Sequence, residues 1–178
     1  MPVEMTIIGL GQIGASLGLA LAKYKEQIKR SGIDREPLAG ERAVKRGAIE
    51  TLFRNLQNSV EKADVVVLAV PPDELRETLE LIAPVLKEGV VVLDTSPIQQ
   101  TAIRWAQELF GPERYFISIT PSLNPLYLHE TGSGIDVSHD DLFKNSILAI
   151  SAAPGAHSDA LKLAADLSTL GVNTAAAE

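Results

Sequence analysis

Apolar positions along the chain fall into short runs separated by amphipathic stretches, and the alternation is regular enough to assign elements. Val3–Ile8 is an apolar run of strand type, and Ile13–Lys23 follows with apolar residues on nearly every face, the pattern of a buried helix. Gln27–Ile33 is a weaker strand, charged in its middle, that closes on Asp34. Leu38–Arg46 reads as a helix stopped by Gly47, and Ala48–Glu50 as a short third strand. Val65–Val70 is β-branched, unbroken and terminated by Pro71-Pro72, as expected of a strand buried on both faces of a parallel sheet. Asp73 then stands where a helix N-cap belongs, ahead of Glu74–Leu86, with Pro84 breaking that helix near its end. Val90–Leu93, Tyr115–Ile119 and Ser146–Ile150 read as strands, and Ile98–Phe110 and His157–Leu170 as helices, the last stopped by Gly171. Strands alternating with helices at this spacing build right-handed βαβ units. The fold class is therefore α/β: a doubly wound, mainly parallel sheet in a single domain over residues 1–178.

One stretch breaks the alternation. Between Thr120 and Asp140 the pattern dissolves into a loop with Pro121, Pro125, Gly132 and Gly134 and two of the three histidines. A loop of that length inside a compact domain is usually functional or disordered. Another stretch invites a wrong reading: Met5–Ala22 carries no charge and is long enough for a membrane span. Four glycines punctuate it and no basic cluster precedes it, so a strand, a glycine turn and a buried helix account for it better.

Composition changes this picture only by exclusion. The net charge of −7 and the absence of a basic block argue against a nucleic-acid surface. With no cysteine, disulfides, thiolate nucleophiles and cysteine-based zinc sites are excluded, and a cytoplasmic location is the default expectation. No histidine pair has ligand spacing, so His129, His139 and their acidic neighbours are not expected to hold a metal.

The chemistry is concentrated where the first strand meets the first helix. Gly9-Leu10-Gly11-Gln12-Ile13-Gly14 follows a strand, opens a buried helix, and lies 20 residues before Asp34 at the end of the next strand. That context marks a dinucleotide site: Gly9 for the tight turn, Gly11 for approach of the pyrophosphate, Gly14 for close packing of helix on strand. The phosphates meet unpaired N–H groups at the positive end of the helix. Asp34 accepts from the adenosine ribose hydroxyls, which favours NAD over NADP; Arg35, just beyond, is the residue that would accommodate a 2′-phosphate. Val70, Pro71, Pro72, Thr95 and Ser96 end later strands and border the nicotinamide half. The competing readings are a glycine turn without ligand and a methyltransferase, whose fold also opens on a glycine loop. The third glycine at this spacing favours the dinucleotide.

Several segments together resemble the prephenate and arogenate dehydrogenases of tyrosine biosynthesis. They are Ile7–Leu17, Ala63–Pro72, Val92–Ser96 and Asp141-Leu142-Phe143 ahead of a strand. The likeness covers nearly the whole chain at the level of that family's nucleotide domain. It implies an NAD(P)-dependent oxidoreductase acting on a small hydroxy or oxo acid, by hydride transfer with loss of carbon dioxide. It also implies a following helical, dimer-forming domain, absent from these 178 residues, so an exposed apolar face and self-association are expected. The family's proton-accepting histidine belongs to a His-Pro pair that here reads Thr120-Pro121, and its serine and lysine positions hold Pro97 and Gln99. A threonine hydroxyl is a poor proton acceptor at neutral pH. The residues left to act on substrate are Ser96 and Asn124, as orienting groups, and His129 in the loop expected to cover the nicotinamide. His157 opens a helix on the far side and reads as structural. A dinucleotide-binding module without turnover is the alternative.

Overall fold

A computed structural model describes residues 1–171; the Ala175–Glu178 end of the chain lies outside the described residues. Seven strands, β1 (Val3–Ile8), β2 (Ile28–Ile33), β3 (Thr51–Leu52), β4 (Val65–Leu68), β5 (Val91–Asp94), β6 (Tyr115–Pro121) and β7 (Leu148–Ala152), form one sheet in the order β3-β2-β1-β4-β5-β6-β7. The first six run parallel and β7 pairs antiparallel with β6. The chain reverses direction across the sheet between β1 and β4, which opens a crevice at the carboxyl ends of those strands.

Alternation along the central strands explains the two-layer core. Val65, Val67, Val91 and Leu93 join the cluster that contains Ala15, Leu21, Ala160 and Ala164. Val66, Leu68, Val90 and Val92 join Leu75, Leu79, Ile82 and Ala102 on the other side. The first face is covered by α1 (Gln12–Ala20), α2 (Pro37–Arg46) and α6 (Ser158–Gly171), the second by α3 (Leu56–Val60), α4 (Pro72–Ile82) and α5 (Gln99–Leu109). A β-branched strand buried on both faces is what a continuous apolar run specifies.

The charged strand β2 has a specific cause. Ile28, Arg30 and Gly32 point inward, and Arg30 is only 4% exposed. Its Nη1 donates to the carbonyls of Gly18 (2.6 Å) and Gly47 (3.2 Å), and its Nη2 pairs with Glu50. The arginine thus fills a place an apolar residue would take and ties together the ends of α1 and α2.

Most element boundaries shift slightly from the hydrophobic pattern, β4 for example ending at Leu68 short of Val70, and four differences have a specific cause. The third strand is Thr51–Leu52 rather than Ala48–Glu50, because Ala48 and Ile49 enter the core and Glu50 engages Arg30 before pairing begins at Thr51. Helix α3, absent from the pattern reading, is too short to show a period; Asn55 caps it by accepting from the Asn58 amide at 2.9 Å. Helix α4 begins at Pro72, so Asp73 sits in its first turn instead of capping it, and it ends at Ile82 ahead of Pro84. The last strand is shifted to Leu148–Ala152, with Ser146 held in a turn by its own bond to the Phe143 carbonyl (2.6 Å). Helix α6 runs through Gly171.

The segment between β6 and β7 is built rather than loose. Pro125–Tyr127 and Gly134–Val137 form short 3-10 turns, and Leu142 and Phe143 pack against Ile13, Leu17, Leu123 and Tyr127. Leu126, Leu128, Ile147 and Ile150 are exposed apolar side chains within the stretch that ends with β7. No helix among the described residues is long and apolar enough to cross a membrane.

Candidate nucleotide site

A cleft of about 910 Å³ opens at the carboxyl ends of the parallel strands, and Gly9, Leu10, Gly11 and Ile13 form its floor. The three glycines differ in what surrounds them. Gly9 has φ +91°, and a Cβ there would lie 2.4 Å from the Ala69 carbonyl oxygen. A Cβ on Gly14 would lie 1.9 Å from the Gly9 carbonyl oxygen, so helix and turn touch where that side chain would be. A Cβ on Gly11 would meet nothing within 4 Å; this glycine faces open space in the cleft. Helix α1 starts from Gly11 with no side-chain cap and no acidic residue in its first turn. Its positive end and unpaired N–H groups are therefore directed to whatever fills the cleft. This cradle fits a pyrophosphate, an anion that the backbone can approach closely.

Asp34, Arg35, Glu36 and Arg54 line one end of the cleft. The Asp34 carboxylate is held in place by the Leu10 amide on Oδ2 (2.6 Å) and the Glu36 amide on Oδ1 (2.8 Å). It therefore braces the glycine turn as well as facing the cleft, and a carboxylate retains lone pairs for further donors. Arg35 pairs with Glu74 in the first turn of α4, which also lines the cleft. At the other end stand Val70, Pro71, Thr95, Ser96 and Pro97. Gln12, Gly14 and Pro72 are not on the cleft wall.

Gln12 has a different contact. Its Nε2 donates to the Val137 carbonyl at 3.1 Å, one of several bonds that strap residues 134–139 across α1 and α2. Arg42 pairs with Asp136 (2.9 Å), Arg46 donates to the Ser138 carbonyl (2.8 Å), and the His139 amide donates to Ser16 Oγ (2.9 Å). The strap puts Gly134 and buried Ile135 on the cleft wall. Pattern reading missed these two residues, as it missed Glu74, Thr78 and Arg54; only Gly134, at φ +63°, left a local sign in the sequence.

Beside the other end, the tips of β5, β6 and β7 share one polar network. Asp94 is fully buried and accepts from the Ser96 amide (3.0 Å), Ser96 Oγ (2.7 Å) and Ser118 Oγ (3.3 Å). Burial pushes its carboxyl pKa up, against the lowering effect of those three donors. Thr120 Oγ1 donates to the Ser96 carbonyl (3.1 Å) and accepts from Gln99 Nε2 (2.8 Å), while Gln99 Oε1 accepts from Ser151 Oγ (2.8 Å). Thr120, Gln99 and Ser151 are thus mutually satisfied, and none of them ionises near neutrality.

The three residues expected to act on substrate are separated. Ser96 is on the cleft wall, with its hydroxyl turned to Asp94. Asn124 is 4% exposed and its amide is engaged within the loop, Oδ1 by the Leu126 amide and Nδ2 by the Asp141 carbonyl, each at 3.1 Å. His129 is exposed, off the cleft wall, and without hydrogen bond or ion pair among the described residues. The neighbouring loop groups are paired instead. His139 stacks on Tyr127 at 3.9 Å and bonds Glu130 (2.7 Å). The Tyr127 hydroxyl donates to Asp141 (2.6 Å), a bond that pushes its pKa up to about 12. His157 lies at the start of α6, against Tyr115. No group of three or more metal-ligating side chains occurs among the described residues.

Strand order, glycine cradle and crevice together define a Rossmann-type nucleotide-binding domain. Residues 17–173 match the sequence model described as prephenate dehydrogenase, nucleotide-binding domain, and the chain belongs to that family. It is 32% identical over 145 residues to the prephenate dehydrogenase of Lactococcus lactis subsp. cremoris, covering 80% of this chain and 39% of that protein. It is 29% identical over 161 residues to the cyclohexadienyl dehydrogenase of Zymomonas mobilis, covering 90% of this chain and 52% of that one. The chain therefore spans about half or less of these relatives. Among solved structures, Synechocystis arogenate dehydrogenase superposes with a TM-score of 0.82 at 24% identity, over 96% of this chain and 58% of that one. A prephenate dehydrogenase from A. aeolicus, in complex with hydroxyphenyl propionate and NAD+, gives 0.82 at 21%, over 97% and 58%. At these identities the superpositions establish the fold.

Proposed function

We propose that this chain is the NAD-binding half of an oxidoreductase of the prephenate dehydrogenase type, acting on a small hydroxy or oxo acid. The observation that carries the reading is Gly11: open space over an uncapped helix start, between a braced Asp34 and the strand tips that hold Thr95 and Ser96. Gly9, Leu10, Gly11 and Ile13 would hold the pyrophosphate, and Asp34 the adenosine ribose. Val70, Pro71, Thr95 and Ser96 would border the nicotinamide, which supplies the hydride acceptor when bound. The protein's part in this region is to orient the ring and exclude water, because a polar-satisfied network, buried at Asp94, Ser96 and Ser118, lies beside it.

Removal of a substrate hydroxyl proton is the step these residues serve poorly. Thr120 and Gln99 bond each other, so the strand tip offers no imidazole or amine to accept it. We therefore expect NAD to bind and prephenate to turn over about 10²–10⁴-fold more slowly than with an enzyme that has a positioned histidine. Calorimetric titration of NAD and absorbance at 340 nm with prephenate test the two halves. Binding without turnover, even with a panel of hydroxy acids, favours the second reading, a dinucleotide-binding module, for which the closed network speaks. Turnover at the family's usual rate would mean that His129 or another loop group reaches the substrate. Failure to bind NAD would refute the proposal.

A further inference from the structure

Both arginines at the Asp34 end of the cleft are engaged by carboxylates of this chain. Arg35 Nη1 bonds Glu74 Oε1, and Arg54 lies 3.8 Å from Glu41. Glu74 belongs to α4 and Arg35 to the turn after β2, so their pair joins two elements that line the cleft. The carboxylate is the more fixed partner: its side chain is 29% exposed against 69% for the arginine. It stands in the first turn of α4, at the positive end of that helix.

We infer that Glu74 is a specificity-determining residue of the nucleotide site: by engaging Arg35 it withholds the cation that a 2′-phosphate needs, and so favours NAD over NADP. The inference rests on the reading that the cleft takes a dinucleotide. A guanidinium binds phosphate best through two parallel N–H groups, and one already directed at a carboxylate presents fewer of them. A 2′-phosphate on a ribose held at Asp34 would also face Asp34, Glu36 and Glu74, all on the cleft wall, with only Arg35 and Arg54 opposite. Like charges disfavour one another there even at high effective dielectric. Asp34 alone, the residue visible in sequence, does not explain why the adjacent arginine leaves NADP unassisted. Glu74 does.

The pair is largely exposed, so its strength bounds the effect. An exposed ion pair is worth up to about fivefold in an equilibrium constant. The test titrates NAD and NADP separately into the full chain and into Glu74→Gln, Glu77→Gln and the double variant Glu74→Gln/Arg35→Ala. Glu77 lies on the same helix, is exposed and touches neither arginine, so its variant carries the same change in net charge without the local pair. Glu74→Gln should raise the ratio of NADP to NAD affinity, by up to about fivefold. Glu77→Gln should leave the ratio near the unmodified value, and the added Arg35→Ala should cancel the gain. A gain no larger than that of Glu77→Gln, or one that survives Arg35→Ala, would overturn the inference while leaving the dinucleotide reading intact. An unmodified chain that binds neither nucleotide would overturn both.

Discussion

The two ends of the cleft are built to opposite specifications. At the glycine turn, backbone donors at the start of α1 are uncapped, Gly11 faces open space, and the charged groups around Asp34 line the wall. At the tips of β5, β6 and β7, Asp94, Ser96, Ser118, Thr120, Gln99 and Ser151 satisfy one another. The first region retains unused binding capacity, which a ligand can take up. The second has converted its polar groups into structure. Polar networks whose members satisfy one another hold a defined geometry, and they leave little for a substrate to exchange with. The difference teaches that one fold can leave backbone donors open at one end of a crevice while side chains close on one another beside the other end, because the two regions are built on different strands.

Substitutions at the glycines should sharpen this contrast most. Gly14→Val places atoms into the Gly9 carbonyl, and we expect a loss of about 3 kcal/mol or more in unfolding free energy, read by chemical denaturation. Gly11→Ala should stay within about 0.5 kcal/mol of the parent, since its methyl meets no protein atom. Its effect should appear instead as weaker NAD binding, because the methyl occupies the space the pyrophosphate needs. A stable Gly14→Val, or a Gly11→Ala chain that binds NAD unchanged, would break the account of an open cradle on a close-packed turn.

The closed end is probed by Asp94. Asp94→Ala strips three donors of a fully buried acceptor and should cost about 2–3 kcal/mol. Asp94→Asn should cost less, since an amide oxygen can still accept from the Ser96 amide. The pH dependence separates charge from hydrogen bonding. Burial raises the folded-state pKa of Asp94, so the native chain binds this proton more tightly than the unfolded chain. Stability from this group therefore falls as pH rises from the ordinary carboxylate value through the raised one. Measured across that window, Asp94→Asn should gain on the parent as pH increases. A difference that stays constant would mean the carboxylate is not destabilised by its burial.

Asp64, ahead of β4, provides the smallest effect and the opposite sign. Burial would raise its pKa, but the Lys87 hydrogen bond, the Glu4 amide and the Lys87 charge outweigh it and hold it below the usual carboxylate range. Its stabilisation is present above the unfolded pKa and is lost as pH falls through the folded one. With side chains 45% and 38% exposed, solvent screening limits the pair, and Asp64→Asn should cost at most about 1 kcal/mol at neutral pH. Denaturation at acid pH should show the two chains converging.

Much of this is legible in the sequence alone. The runs Val3–Ile8 and Val65–Val70 (the second two residues longer than the strand it forms), the turn at Gly9–Gly14 and the helix stop at Gly47 are local: apolar periodicity, missing Cβ atoms and a left-handed cap act over a few residues. The same locality makes the nucleotide-binding class readable, since a strand, a glycine turn and a helix carry it within a short segment. Elements that depend on distant partners were read less well. Thr51–Leu52 is a strand because β2 pairs with it, and α3 is too short for a pattern. The last strand shifts because Leu148 pairs with Pro121 across an antiparallel ladder.

Sequence by itself determined the fold class, the position of the glycine cradle and the absence of a histidine at Thr120, all properties of residue type and spacing. Tertiary structure decided which polar groups remain available. It joined Arg35 to Glu74, 39 residues apart, and Gln99 to Ser151, 52 apart. It strapped Val137 onto Gln12 and placed Ile135 on the cleft wall, while leaving His129 on the exposed side of its loop. Side-chain hydrogen bonds and ion pairs act only over a few ångströms, so separation along the chain carries no record of them until the sheet has brought its strand tips together.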